Sequence, residues 1–127
     1  MKKLGVVLLL SLFSSSALAE ASYEDAAQTI THDCGKDPEV SVSGSSNQIT
    51  ITGACTEVDI SGASNQVTIE STSKASITGS SNEVHITAAD KISITGTNNQ
   101  ITWKKGLKSK KPKVSRTGIN NRVKQVK

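Results

Sequence analysis

Between residues 40 and 104 the chain alternates apolar and polar residues in short bursts, and the bursts recur. Aligned on a Gly-x-x-Asn quartet, the lines read VSVSGSSNQITIT (40–52), VDISGASNQVTIE (58–70), ASITGSSNEVHIT (75–87) and ISITGTNNQITWK (92–104), with a fainter fifth, VSRTGINNRVKQV (114–126). The quartet glycines are Gly44, Gly62, Gly79, Gly96 and Gly118, spaced 18, 17, 17 and 22 residues apart. Apolar residues fall four and two positions before each glycine and five and seven after it. That is period-two patterning on two short segments per repeat, the pattern of half-buried strands. Of these twenty positions sixteen are Val or Ile; the exceptions are Ala75, Trp103, Arg116 and Gln125, three of them in the last two repeats, where a stack would end. Helical periodicity is absent.

A near-constant period of this length indicates a repeat architecture. The pattern predicts an all-β protein, a small parallel β-solenoid of about five two-strand coils of 17–18 residues. The alternative is an antiparallel β meander or sandwich, with a hairpin at every corner. The recurrence of Asn47, Asn65, Asn82, Asn99 and Asn121 at one corner only favours the solenoid. In a parallel stack identical residues lie above one another, and the amides form a ladder. That role is structural and calls for no ligand.

Residues 1–19, MKKLGVVLLLSLFSSSALA, have a Lys-Lys start, an apolar run and an Ala-x-Ala end. They are expected to be a secretory signal peptide cleaved after Ala19. The expected location is periplasmic or secreted, with no transmembrane segment and, since no cysteine follows the cleavage point, no lipid anchor. Residues 20–39 are expected to cap the stack and residues 40–127 to form the repeat domain. Ser22 and Asp25 suit a short helix over residues 23–27; residues 28–32 suit a strand instead. His32 and His85 are expected to be exposed polar residues, each without a second ligand at metal spacing.

Charge divides the chain beyond residue 19. Residues 20–103 hold 3 basic and 11 acidic side chains; residues 104–127 hold 10 basic and none acidic. Such a molecule can meet a polyanion, or the acidic body of another copy. Cys34 and Cys55, the only cysteines, are expected to form one disulfide between the cap and the first full coil, as in exported proteins generally. CxxC spacing, which would suggest redox chemistry, is absent.

Outward positions form Ser/Thr-rich rows, including Ser76, Thr78, Ser93 and Thr95. They read as soluble strand surface or as a flat lattice-binding face for glycan or ice. The corner at residues 104–113, KKGLKSKKPK, is longer than the others and carries Lys104, Lys105, Lys108, Lys110, Lys111 and Lys113. It reads as a projecting loop, either a guard of the last strand edge or an anion-binding site. Without interleaved aromatics the contact would be a nonspecific, salt-sensitive one, with no sequence-specific nucleic-acid readout. No nucleophile elbow, metalloprotease helix or phosphate loop occurs. The expectation is a non-enzyme without a cofactor.

The register running from Cys34-Gly35 through V-x-V-x-G-x-x-N-x-I-T-I-x-G-x-C and V-x-I-x-G-x-x-N-x-V to G-x-N-N-x-V resembles the bacterial exported-protein family catalogued as domain of unknown function 3060. The similarity covers roughly residues 33–125. It implies small exported or surface proteins of β-solenoid character and supplies no catalytic residues; the lysine-rich insertion is not part of its general pattern. The expected role is a binding or structural module at the bacterial cell envelope, with an anionic envelope polymer or the protein itself as partner. The alternatives are a self-assembling fibre subunit and a lattice binder.

Overall fold

The computed structural model describes residues 20–127, so the expected signal peptide lies outside the described residues. Nine strands follow in order: β1 (Glu20–Tyr23), β2 (Thr29–Asp33), β3 (Glu39–Val42), β4 (Gln48–Ala63), β5 (Gln66–Ser80), β6 (Glu83–Thr97), β7 (Gln100–Gly106), β8 (Lys113–Ile119) and β9 (Arg122–Gln125). Every strand pairing is parallel, which excludes the meander. The long strands β4, β5 and β6 each run through a corner, so one half lies on each face of the coil. One face stacks β1, β3, the second halves of β4, β5 and β6, and β8. The other stacks β2, the first halves of β4, β5 and β6, then β7 and β9. The chain is a parallel β-solenoid with an asparagine ladder.

The core is a set of inward columns between the two faces. One runs Val42–Ile60–Ile77–Ile94 and another Ile49–Val67–Val84–Ile101, every member at most 2% exposed. Fully burying a Val or Ile side chain contributes roughly 1.5–3 kcal/mol, and each coil supplies four inward positions, so stability accumulates coil by coil. Trp103 is the last apolar member of its column, following Ile51, Ile69 and Ile86 and followed by Gln125, and is buried.

The Gly-x-x-Asn corner does more than turn the chain. A Cβ on Gly62, Gly79 or Gly96 would lie 1.8 Å from the carbonyl oxygen of the glycine one coil earlier. Glycine is therefore demanded by the approach of neighbouring coils as well as by its positive φ. The third corner residue is also left-handed: Ser46, Ser64 and Ser81 have φ of 59°, 58° and 56°, and Asn98 and Asn120 both have 59°. The fourth residue knits the stack. Asn65 donates its backbone N–H and its Nδ2 to Asn82 Oδ1, at 3.0 and 3.1 Å. Asn82 repeats this toward Asn99, and Asn99 toward Asn121. Each Nδ2 also donates to the glycine carbonyl of the preceding coil, as Asn82 does to Gly62 at 3.0 Å.

Residues 20–33 form no helix; they build a coil in register with the others. Tyr23 pairs with Val42 and His32 with Ile51, which puts both at inward column positions. His32 is consequently buried, 4% exposed, contrary to the expectation of a surface residue. Its Nε2 lies 2.9 Å from the carbonyl oxygen of Asp37, which can only accept, so Nε2 carries the proton. The Tyr23 hydroxyl lies 3.0 Å from Nδ1 and gives the second ring nitrogen its partner. Burial is tolerated because both nitrogens are satisfied. Cys34 and Cys55 are disulfide-bonded, with Cα atoms 5.1 Å apart, and tie this first coil to the next.

Candidate functional site

Stacking brings together residues far apart in sequence. The residue just before each first inward position forms one column, Glu20–Glu39–Glu57–Lys74–Lys91–Lys113 in register order. Its acidic half lies toward the N-terminal end and its basic half toward the C-terminal end. Where the sign changes, Lys74 Nζ sits 3.5 Å from a Glu57 carboxylate oxygen, both side chains nearly half exposed. Such a pair is worth at most about 1 kcal/mol.

The lysine-rich corner folds back onto this column rather than projecting. Leu107 N donates to Ala89 O at 3.1 Å and Lys108 N to Asp90 Oδ1 at 2.7 Å. Gly106 N donates to Lys110 O, closing the turn. A Cβ on Gly106 would lie 2.0 Å from Ser109 O, so the turn needs glycine there. Pro112 is buried, which pins the far end of the corner. The backbone anchors have a physical origin in Asp90, an acidic side chain with a free N–H within reach.

The result is a cleft of about 430 Å³ lined by Lys74, Lys91, Lys108 and Lys113, with Ser73, Ser109 and Asp90. Four lysines line one hollow with a single lining carboxylate, and although Lys74 is also paired with Glu57, the local excess of positive charge favours anions. Of the six lysines in the corner, two reach this cleft. Lys104 lies on another side, in a smaller hollow with His85 and Thr102. Lys105 is in register with Ala88, and Lys105, Lys110 and Lys111 are exposed. Lys74 and Lys91 were not apparent as site residues. Their signal is the aligned position five before each quartet glycine, which reads Glu39, Glu57, Lys74, Lys91, Lys113.

Elsewhere the outward rows are regular. Ser41, Asp59, Ser76, Ser93 and Ser115 form one column, and Ser61, Thr78, Thr95 and Thr117 the next. Partial burial, with repulsion from Glu57 added, raises the Asp59 pKa; Lys74 opposes the shift. His85 is exposed, with Nδ1 2.6 Å from Thr102 Oγ1 and Nε2 3.7 Å from a Glu83 oxygen. Among the described residues no group of three or more His, Cys, Asp or Glu is placed to hold a metal ion. No helix among them is long and apolar enough to cross a membrane.

Fold and surface define a small parallel β-solenoid with a glycine and an asparagine column at one corner, an acidic first end and a basic last one. The chain belongs to the family described as protein of unknown function (DUF3060), whose profile matches residues 42–79 and again residues 72–120. The overlapping double match follows from the repeat, since the profile can settle on successive coils. The chain matches no curated protein and no solved structure at a significant level.

Proposed function

We propose that the protein is an exported, non-catalytic module of the bacterial cell envelope that holds an anionic polymer against its basic cleft. The observation that carries this reading is the convergence of Lys74, Lys91, Lys108 and Lys113 on one hollow. Three of them, Lys74, Lys91 and Lys113, stand on successive rungs, about 4.8 Å apart by strand spacing. A polymer bearing phosphate or carboxylate groups along its length meets several of them at once. A single small anion gains only one or two contacts. The leader-like residues 1–19 and the disulfide support export. With Tyr23 half buried and Trp103 buried, the described residues offer no exposed aromatic ring for base stacking. This favours a contact made by charge alone.

The test is co-sedimentation of the exported protein with its host's envelope fraction at low and high salt. Beside it runs a quadruple variant with Lys74, Lys91, Lys108 and Lys113 changed to Gln. A second variant has Lys104, Lys105, Lys110 and Lys111 changed to Gln. Salt-reversible pelleting, lost in the first variant and largely kept in the second, is the expected result. Equal loss in both would mean that the cleft is no site and that only total charge matters. Pelleting unaffected by either would remove the lysines from the function.

A further inference from the structure

We propose that copies of this chain stack end to end, the last coil of one pairing with the first coil of the next, to give an open parallel β filament. The strands β8 and β9 are the last rungs of their faces, and among the described residues no strand covers their outer edges. In a parallel ladder bonded residues alternate along the strand. Arg122 and Val126 donate inward, to Asn99 and Trp103, so Val123 and Gln125 present their N–H groups outward. The last rung also carries apolar side chains, with Val114 41% and Ile119 65% exposed. An unpaired edge of this kind is a template for another strand.

The occupant is chosen by charge and register. Residues 20–39 hold six acidic side chains and one basic; residues 113–127 hold five basic and none acidic. Two basic ends repel each other, as do two acidic ends, whereas a basic end attracts an acidic one. The charges thus guard against two of the three end contacts and favour head to tail. Continuing the columns by one rung puts Lys113 of one copy in register with Glu20 of the next, a second change of sign along the column. Val114 would meet Ala21, and Val123 would meet Ile30. Arg116, an awkward residue at the end of an apolar column, would meet Tyr23, where a guanidinium against an aromatic face is favourable. Asn121, the last rung of the amide ladder, would meet Gln28, whose N–H already bonds Asn47 Oδ1 on the second coil. The corner is the one misfit. Asp25 stands where every later coil has its quartet glycine, so the junction pairs along the two arms and stays open at the corner. Because the contact is head to tail, it does not close and grows into a filament.

Two measurements test this, and both leave the basic cleft intact. The first is a mixed-disulfide experiment. Continuing the outward column Thr31–Thr50–Thr68–His85–Thr102–Lys124 puts Lys124 of one copy beside Thr31 of the next. The native bond shows that cysteines on adjacent coils can join, at a Cα separation of 5.1 Å. Exported Lys124→Cys and Thr31→Cys proteins, mixed and oxidised, are expected to give mainly the mixed dimer. Only the statistical proportion of mixed and like dimers would overturn the register. The second is sedimentation velocity of the wild-type protein against concentration, beside Gln125→Pro, which removes an outward N–H and no ladder bond. The wild type is expected to rise in mass past a dimer without a plateau, less so at high salt, and the variant to remain monomeric with an unchanged circular dichroism spectrum. A wild type monomeric throughout, a plateau at the dimer, or a Gln125→Pro protein that assembles as the wild type does would each overturn the proposal. Envelope binding by Gln125→Pro stays unchanged if both this and the polymer-binding reading hold, and its loss would set the two in conflict.

Discussion

Asn82 is where the stack is most vulnerable to a single change. Four hydrogen bonds converge on its side chain: two accepted from Asn65, one donated to Gly62 O and one to Asn99 Oδ1. Asn82→Ala removes all four. Asn65 Nδ2 keeps the Gly44 carbonyl at 3.1 Å and Asn99 Oδ1 keeps the Asn82 backbone N–H. The Asn65 backbone N–H keeps no side-chain acceptor, on a residue that is 0% exposed. An unsatisfied buried donor costs roughly 1–3 kcal/mol and each of the three other bonds lost about 1, so the total is roughly 4–6 kcal/mol. Domains of this size hold about 5–15 kcal/mol in all. Asn121 makes as many side-chain bonds but sits at the open end, partly exposed. Its loss also strips the N–H of Asn99, a residue as buried as Asn65, but Asn121 itself is partly exposed, so water enters the vacated space and takes up that N–H, and Asn121→Ala is expected to cost about 1–2 kcal/mol. Urea unfolding of both variants, with unchanged m-values, measures the difference. Equal costs, or a cost below about 1 kcal/mol at Asn82, would refute the claim that the ladder is a buried, cooperative element.

Other outcomes follow from single residues. Cys55→Ser opens a loop with a sequence separation of 21, and loop entropy puts the loss at roughly 3 kcal/mol; a reducing agent should lower the wild-type melting temperature and leave the variant unmoved. Ser64→Asn places at φ 58° a residue that tolerates the left-handed region better than serine. It is expected to stabilise by about 0.5–1 kcal/mol, read by thermal melting. Asp59→Ser restores the serine column and removes a carboxylate whose pKa burial and Glu57 raise. The folded state holds the Asp59 proton more tightly than the unfolded chain, so wild-type stability falls as pH rises from the unfolded pKa through the folded one. The variant should therefore gain over the wild type at neutral pH and lose that advantage below the carboxylate range, as shown by melting curves across pH.

The repeat was readable because each coil obeys the same rule. Val/Ile at fixed offsets from a glycine predicted the rungs, and an asparagine at one corner only predicted the ladder. What was hidden depended on stacking rather than on any one line. Lys74 and Lys91 look like solvated strand ends until the register sets them beside Lys108. His32 looked exposed because its coil lacks the Gly-x-x-Asn mark; only its pairing with Ile51 shows that it points inward. The left-handed Ser46, Ser64 and Ser81 were masked by their glycine neighbours, which seemed sufficient for the turn. The folding back of the lysine-rich corner depends on Asp90, eighteen residues before Lys108 and one coil away.

The glycine column makes the length of this molecule a countable quantity. Gly79 faces Gly62 and Gly96 faces Gly79 in the same way, and the asparagines between these coils are 17 residues apart in each case. A second copy of residues 66–82 placed after the first would offer its neighbours the surfaces they already meet. The chain would grow by one rung, about 4.8 Å, and its two unlike ends would move apart without being redesigned. Such a protein can serve as a ruler whose span is set by gene duplication, one coil at a time, while the chemistry at its ends is kept.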